Sequence, residues 1–167
     1  MRRAAVLFSL LGILACDGGL EPPPPVEPGF SGVVHFTQGT WPSADSLAQI
    51  QLWIFASQNV PHDSASIVNG ILVAPFTIYL YPSLSVSLPK GIDSLSYTFR
   101  VPAATYQYVG VLQHYGTDLT ISSFEVVGVY QNAENPGIPR PVAVNEFETS
   151  SGIDMYVDFH HPPPQPF

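Results

Sequence analysis

The chain has little of two residue classes that often define a protein's chemistry, namely cysteines and basic residues. Cys16 is the only cysteine in 167 residues, which excludes an internal disulfide. Charged residues make up 11% of the chain, whereas about a quarter is usual in soluble domains. Only five residues are Lys or Arg, and the formal net charge is −8. This charge repels phosphate groups, so the composition excludes nucleic acid as an expected partner and argues against polybasic attachment to anionic lipid.

The motifs of common enzyme classes are also missing. The chain has no G-x-S-x-G, no H-E-x-x-H, no phosphate-binding Walker loop and no dinucleotide-binding glycine pattern. Glu146 and Glu148 are paired carboxylates, but they lie in a predicted loop over residues 145–151, which favours a solvated acidic turn. We therefore predict no catalytic residues, no enzymatic activity and no cofactor. A small hydrolase without a recognisable motif is one alternative.

What the chain does have begins with an export signal. Arg2 and Arg3 precede an uncharged apolar run over residues 4–15, AAVLFSLLGILA. A membrane-spanning helix needs about 20 apolar residues, and Asp17 ends the run too early for one. The length fits the hydrophobic region of a signal peptide, which is about 7–15 residues.

The stretch Ile13-Leu14-Ala15-Cys16 resembles the lipobox of bacterial lipoproteins. In that family an aliphatic residue stands three positions before the cysteine, and a small residue stands just before it. The resemblance implies cleavage between Ala15 and Cys16 and lipid attachment at Cys16. The protein would then be exported and anchored to a bacterial membrane by its acyl chains, with the outer membrane and the periplasmic face both open. An ordinary secretory leader with an accidental cysteine is the alternative.

Proline-rich segments bracket the rest of the chain. Residues 16–29 contain the cysteine and DGGLEPPPPVEPG, which favours an extended tether of polyproline II character. Residues 162–167, PPPQPF, form a tail whose prolines cannot pair within a sheet. We thus expect a signal peptide over 1–15, a lipidated tether over 16–29, a β-domain over 30–161 and a tail over 162–167.

The region between the brackets consists of short runs rich in Val, Ile, Tyr, Phe and Thr that end at turn residues. Predicted strands cover residues 31–37, 50–57, 71–80, 94–101, 105–113, 124–130, 141–145 and 152–159. A helical turn or two is predicted over residues 43–49. In Ser94–Val101 the large side chains alternate with Ser, Thr and Arg, as in a half-buried strand. The pattern predicts an all-β fold, an antiparallel β-sandwich of about seven to eight strands.

Three stretches, residues 30–36 (FSGVVHF), 101–108 (VPAATYQY) and 152–159 (GIDMYVDF), resemble the carboxypeptidase-regulatory-like or transthyretin-like β-sandwich family. Ala104 stands where that family usually has glycine. The resemblance implies a structural or adhesive accessory module of an exported protein, and it supplies no catalytic residues.

Aromatic residues suggest a binding surface. Four of them, Trp41, Trp53, Tyr106 and Tyr108, are candidates for contacts to a glycan or to an envelope protein, and Trp41 is the one expected to be most exposed. Packing within the core is the competing interpretation. A carbohydrate-binding module or adhesin is accordingly a second alternative function.

A metal site has only weak candidates. Asp154, Asp158 and His160 share one face of a predicted strand, where alternate residues lie about 6.6 Å apart. Because no calcium-binding loop pattern accompanies them, a solvated polar face is the favoured interpretation, and we predict no bound metal.

Overall fold

The computed structural model describes residues 25–116 and 124–166, so the leader, Cys16 and the first part of the tether lie outside the described residues. Within these ranges the chain is built mainly from strands, which confirms the predicted all-β, sandwich-like fold. The strands are β1 (Gly29–Phe36), β2 (Ile50–Ser57), β3 (Ile78–Tyr81), β4 (Ser94–Arg100), β5 (Ala104–Tyr106), β6 (Tyr108–Tyr115), β7 (Phe124–Val129), β8 (Gln131–Asn132), β9 (Asn135–Pro139), β10 (Val142–Val144), β11 (Thr149–Ser150) and β12 (Met155–Val157). The helices are α1 (Ala44–Gln49), where a helical turn was predicted, and α2 (Ser64–Leu72).

One strongly curled sheet contains most of these strands. β4 pairs with one edge of β1, β11 and β12 share the other edge, and the order continues through β7, β6 and β2 to β3. The two edge strands face each other, since the Tyr81 ring lies 5.7 Å from the Phe99 ring between centroids. Two small two-stranded sheets, β5 with β10 and β8 with β9, complete the fold.

The direction of two pairings differs from the antiparallel prediction. β1 runs parallel to both β11 and β12. Parallel neighbours need a long connection, and here almost the whole domain lies between the first strand and the last. No local pattern in the sequence specifies such a long-range pairing.

The concave face of the sheet holds the main core, to which β1, β2, β4, β6, β7 and β12 all contribute buried apolar side chains. The alternation predicted for Ser94–Val101 is confirmed: Tyr97, Phe99 and Val101 are buried, while Ser96 and Thr98 are exposed. The phenol of Tyr97 donates a 2.6 Å hydrogen bond to the Ile153 carbonyl, so its one polar atom is satisfied inside the core.

A second, smaller core lies on the convex face, under α2. The sequence predicted a strand over residues 71–80, but α2 extends to Leu72 and β3 begins only at Ile78. A capping box explains the helix start, because Asp63 Oδ1 accepts a 2.6 Å hydrogen bond from the Ser66 backbone N–H and the Ser66 hydroxyl approaches the Asp63 backbone N–H. Ile67 of α2 is fully buried against this face. In the described part of the chain, neither helix has the length and apolar character needed to cross a membrane.

Candidate functional site

The two ends of the curled sheet differ in which loops they carry. The chain enters the domain at one end of the sheet, where β1 begins. The strands that run away from this end are β1, β12, β6 and β3, and those that run back towards it are β7, β2 and β4. We call the end at which the chain enters the domain the tether-side end. Its connections are residues 58–77, 101–107 and 130–148. Any tether that precedes the domain is therefore attached next to these loops.

The incoming chain is fixed at this end by Arg100. Its guanidinium donates a 2.8 Å hydrogen bond to the Glu27 carbonyl and a 2.7 Å hydrogen bond to the Thr149 hydroxyl. The Arg100–Glu27 ion pair at 3.6 Å is exposed to solvent and contributes little. The backbone continues the attachment, since the Val101 N–H donates to the Pro28 carbonyl. Arg100 thus holds the backbone at Glu27 against the start of β11.

A groove of about 500 Å³ lies at the tether-side end between the start of α2 and the segments before and after it. Its lining is mixed, with Asn59, His62 and Asn69 among the polar residues and Val60 and Val73 among the apolar ones. The groove can hold a small molecule or a protruding side chain, and its polar groups lie at the surface.

A second cleft, of about 350 Å³, lies where the C-terminal tail crosses β7 and β12. Tyr156 and Gln131 line it together with Asp158, His161 and three consecutive prolines of the tail, Pro162, Pro163 and Pro164. Tyr156 is 65% exposed and stacks on the His35 ring at 4.9 Å between centroids. The cleft therefore presents an exposed aromatic face beside hydrogen-bonding groups.

Asp158 supplies a carboxylate to the lining of this cleft and is itself hydrogen-bonded. Its Oδ1 accepts from the backbone N–H groups of His160 and His161 at 2.9 and 3.1 Å, and its Oδ2 lies 3.3 Å from His161 Nδ1. Partial desolvation raises the pKa of Asp158, but the hydrogen bonds from His160 and His161 outweigh it and hold this pKa below its usual value. Asp158 thus stabilises the turn that starts the tail.

The four aromatic residues predicted to bind a partner do not lie together on a surface. Trp53, Tyr106 and Tyr108 are buried, with at most 2% of each residue exposed. Trp41 is only half-buried, but its ring packs 4.8 Å from those of Phe36 and Phe159 between centroids. Its indole N–H donates to the Ile92 carbonyl at 3.2 Å. The competing interpretation, core packing, describes all four positions.

Burial also changes the acidity of two of these phenols. Desolvation raises the pKa of Tyr106 to about 12, with a further increase from Tyr79 and an opposing hydrogen bond from Gln58. Desolvation alone raises the pKa of Tyr108 to about 12. Neither phenol is poised to act as an acid or base near neutral pH.

Asp154 and Asp158, two of the three candidate metal ligands, accept hydrogen bonds from different parts of the backbone. Asp154 Oδ1 accepts a 2.8 Å hydrogen bond from the Val33 backbone N–H, whereas Asp158 is held by the turn at its own end of the strand. In residues 25–116 and 124–166 no group of three or more His, Cys, Asp or Glu side chains is placed to hold a metal ion. The structure therefore does not bring Asp154, Asp158 and His160 together.

Comparison with known proteins adds no relative from which a role could be transferred. No protein-family model, curated protein or solved structure matches the chain.

The sequence missed both clefts for identifiable reasons. The groove depends on α2, whose only local signal is the Asp63-to-Ser66 capping spacing. The second cleft depends on the proline-rich tail folding back over β7, a long-range contact without a motif. Tyr156 was detectable, because it lies on the polar face of a strand with period-two alternation.

Proposed function

We propose that this protein is a bacterial lipoprotein that is exported and held at a membrane by acylated Cys16, with a non-catalytic β-domain that binds or supports an envelope component. The observation that carries the proposal is the position of Cys16, the one cysteine of the chain, directly after Ile13-Leu14-Ala15 and an apolar run. Several acyl chains anchor a protein stably where one is marginal.

The domain is consistent with such a role. The chain joins the domain through Glu27 and Pro28, which Arg100 and Val101 hold in place. An all-β fold also suits the proposed relationship to transthyretin-like accessory modules, which we retain as part of the proposal.

Cys16→Ser is the direct test. In the native envelope we expect the variant to lose incorporation of a labelled fatty acid and to move from the detergent-rich to the aqueous phase on phase separation. Leu14→Ala is the matched control, since alanine is common at that lipobox position, and it should keep both properties. Retained label and retained membrane association in Cys16→Ser would overturn the proposal.

A second candidate function has its own supporting observation, the exposed Tyr156 ring in the tail cleft. Aromatic rings pack against sugar faces while neighbouring amides and carboxylates bond the hydroxyl groups, and Gln131 and Asp158 line the same cleft. This favours an envelope glycan as the ligand of the domain.

Binding to purified cell-wall glycan tests this candidate. Tyr156→Ala should reduce binding at least tenfold, whereas Tyr115→Ala, which removes a tyrosine that is 47% exposed and outside the cleft, should not. Equal binding by both variants contradicts a glycan site at Tyr156.

A further inference from the structure

We propose that the loops at the tether-side end rest on the lipid bilayer, through an apolar rim formed by Val60, Val73, Phe76 and Phe147. This inference rests on the proposed lipid anchor at Cys16. It adds that the domain has a defined membrane-facing end, so that the anchored protein is oriented as well as tethered.

The rim residues are exposed although they are large and apolar. The exposed fractions are 51% for Val60, 56% for Val73, 53% for Phe76 and 69% for Phe147. Single exposed apolar residues are ordinary on protein surfaces. Here, however, all four belong to connections of the same end of the sheet, the end at which the chain enters.

Three of the rim residues lie in the connection between β2 and β3, and the fourth lies beside the point at which the chain enters the domain. Val60 and Val73 line the same groove, and Phe76 precedes β3 by two residues. Phe147 lies on the loop before β11, where the Glu148 carbonyl accepts a hydrogen bond from the Gly29 N–H at the start of β1.

Phe147 gives an independent reason to look for a function outside the fold. Its φ of 59° is in the left-handed region, which is unfavourable for a bulky residue. An exposed phenylalanine in this conformation costs backbone energy and gains almost no burial in return. Asparagine would fit the backbone better, so the fold itself does not require the aromatic ring.

Lipid is the occupant that the uncharged surroundings of Val73 and Phe76 favour, whereas Phe147 stands between the exposed carboxylates of Glu146 and Glu148. The segment Val73–Thr77, VAPFT, has no charged side chain. The acidic domain cannot rely on attraction to anionic headgroups, so contact must come from apolar insertion at the interface. Eight residues lie between Cys16 and Pro25, the first described residue, and the nine steps that join the two span about 30 Å at about 3.1 Å per residue. The rim therefore stays within a short distance of any bilayer that holds the acyl chains.

A depth measurement on the acylated, vesicle-reconstituted protein tests the rim. Acylation consumes the thiol of Cys16, so an introduced cysteine is the single reactive thiol of the mature chain. We would label Val73→Cys and Phe147→Cys with an environment-sensitive dye and quench it with spin-labelled phosphatidylcholine. Val86→Cys is the matched control, because Val86 is 51% exposed and lies in the loop between β3 and β4 at the opposite end.

We expect lipid quenching at positions 73 and 147 to exceed that at position 86 at least threefold. Adding Phe147→Asn should reduce quenching at position 73 while leaving the domain at least as stable to urea. Equal quenching at both ends, in protein that floats with the vesicles, overturns the rim and leaves the anchor intact. Protein that does not float and still carries a reactive Cys16 thiol overturns the anchor, and the rim with it.

Discussion

The side chain of Gln165 replaces a missing strand at the edge of β7. β12 pairs only with Gly128 and Val129, so it leaves the first half of β7 without a partner on that side. Gln165 Oε1 accepts a 2.9 Å hydrogen bond from the Val126 N–H, and Gln165 Nε2 donates a 2.9 Å hydrogen bond to the Val126 carbonyl. The amide thus reproduces one rung of a β-ladder from within a tail whose prolines have no N–H.

Gln165→Ala removes both bonds, and the structure allows the cost to be worked out. Val126 is fully buried, so its backbone groups cannot be freely hydrated once the amide is gone. A buried group left without its partner costs about 1–3 kcal/mol. Because the Gln165 site is partly open, water will replace part of the loss, and we expect a total destabilisation of about 2 kcal/mol. For a domain of this size that corresponds to a fall in Tm of about 6 °C.

Urea unfolding and amide hydrogen exchange check this prediction on the full chain carrying Cys16→Ser. The midpoint should fall, and the Val126 amide should lose protection while amides in the β2–β6 pairing keep theirs. Gln165→Glu is the matched variant: at neutral pH its carboxylate cannot donate to the Val126 carbonyl, so it too should destabilise. Protonation should restore part of the loss at acidic pH. Unchanged stability and unchanged Val126 protection in Gln165→Ala would refute this role of the tail.

Three further outcomes follow from described contacts. Because burial raises the pKa values of Tyr106 and Tyr108 to about 12, their contribution to stability is intact below pH 10 and is lost as the pH rises towards 12. The free energy of unfolding from urea titrations should fall over this range by up to about 5 kcal/mol from these two phenols, and by less in Tyr108→Phe. Lys90→Met removes ammonium hydrogen bonds of 2.6 and 3.0 Å to carbonyls at the end of α1, and should lower the free energy of unfolding by about 1–2 kcal/mol in a urea titration. Gly32→Ala places a methyl group against the Ile153 carbonyl and should cost about 1–3 kcal/mol, whereas a stable variant would show that the two segments can separate.

The sequence contained enough to predict the fold class, because short alternating runs report which face of a strand is buried. The alternation of buried and exposed side chains predicted for Ser94–Val101 is observed in β4, and the helical turn predicted over residues 43–49 is observed as α1. The error at residues 71–80 has a local cause: the apolar run there is shared by the last turn of α2 and by β3, and short apolar runs do not distinguish the two.

Prediction of the site was weaker for a different reason. Composition shows that the chain has many aromatic residues, but burial depends on which strands become neighbours. Trp53 and Tyr106 were candidates for a binding surface, but Trp53 is buried in the core under α2 and Tyr106 in the core on the concave face. Tyr156 is the exception, because period-two alternation next to buried Met155 and Val157 already assigns it to the outer face.

The position of β12 has a consequence for when the protein can fold. The last strand lies between β1 and β7, so the sheet has a gap in its middle until Met155–Val157 have been made and delivered. β1 pairs with β12, which is distant in the sequence, and pairings between distant segments form slowly. For the export that we propose, this order has a use: a chain that passes through a membrane channel cannot complete its sheet until residues 155–157 have also passed.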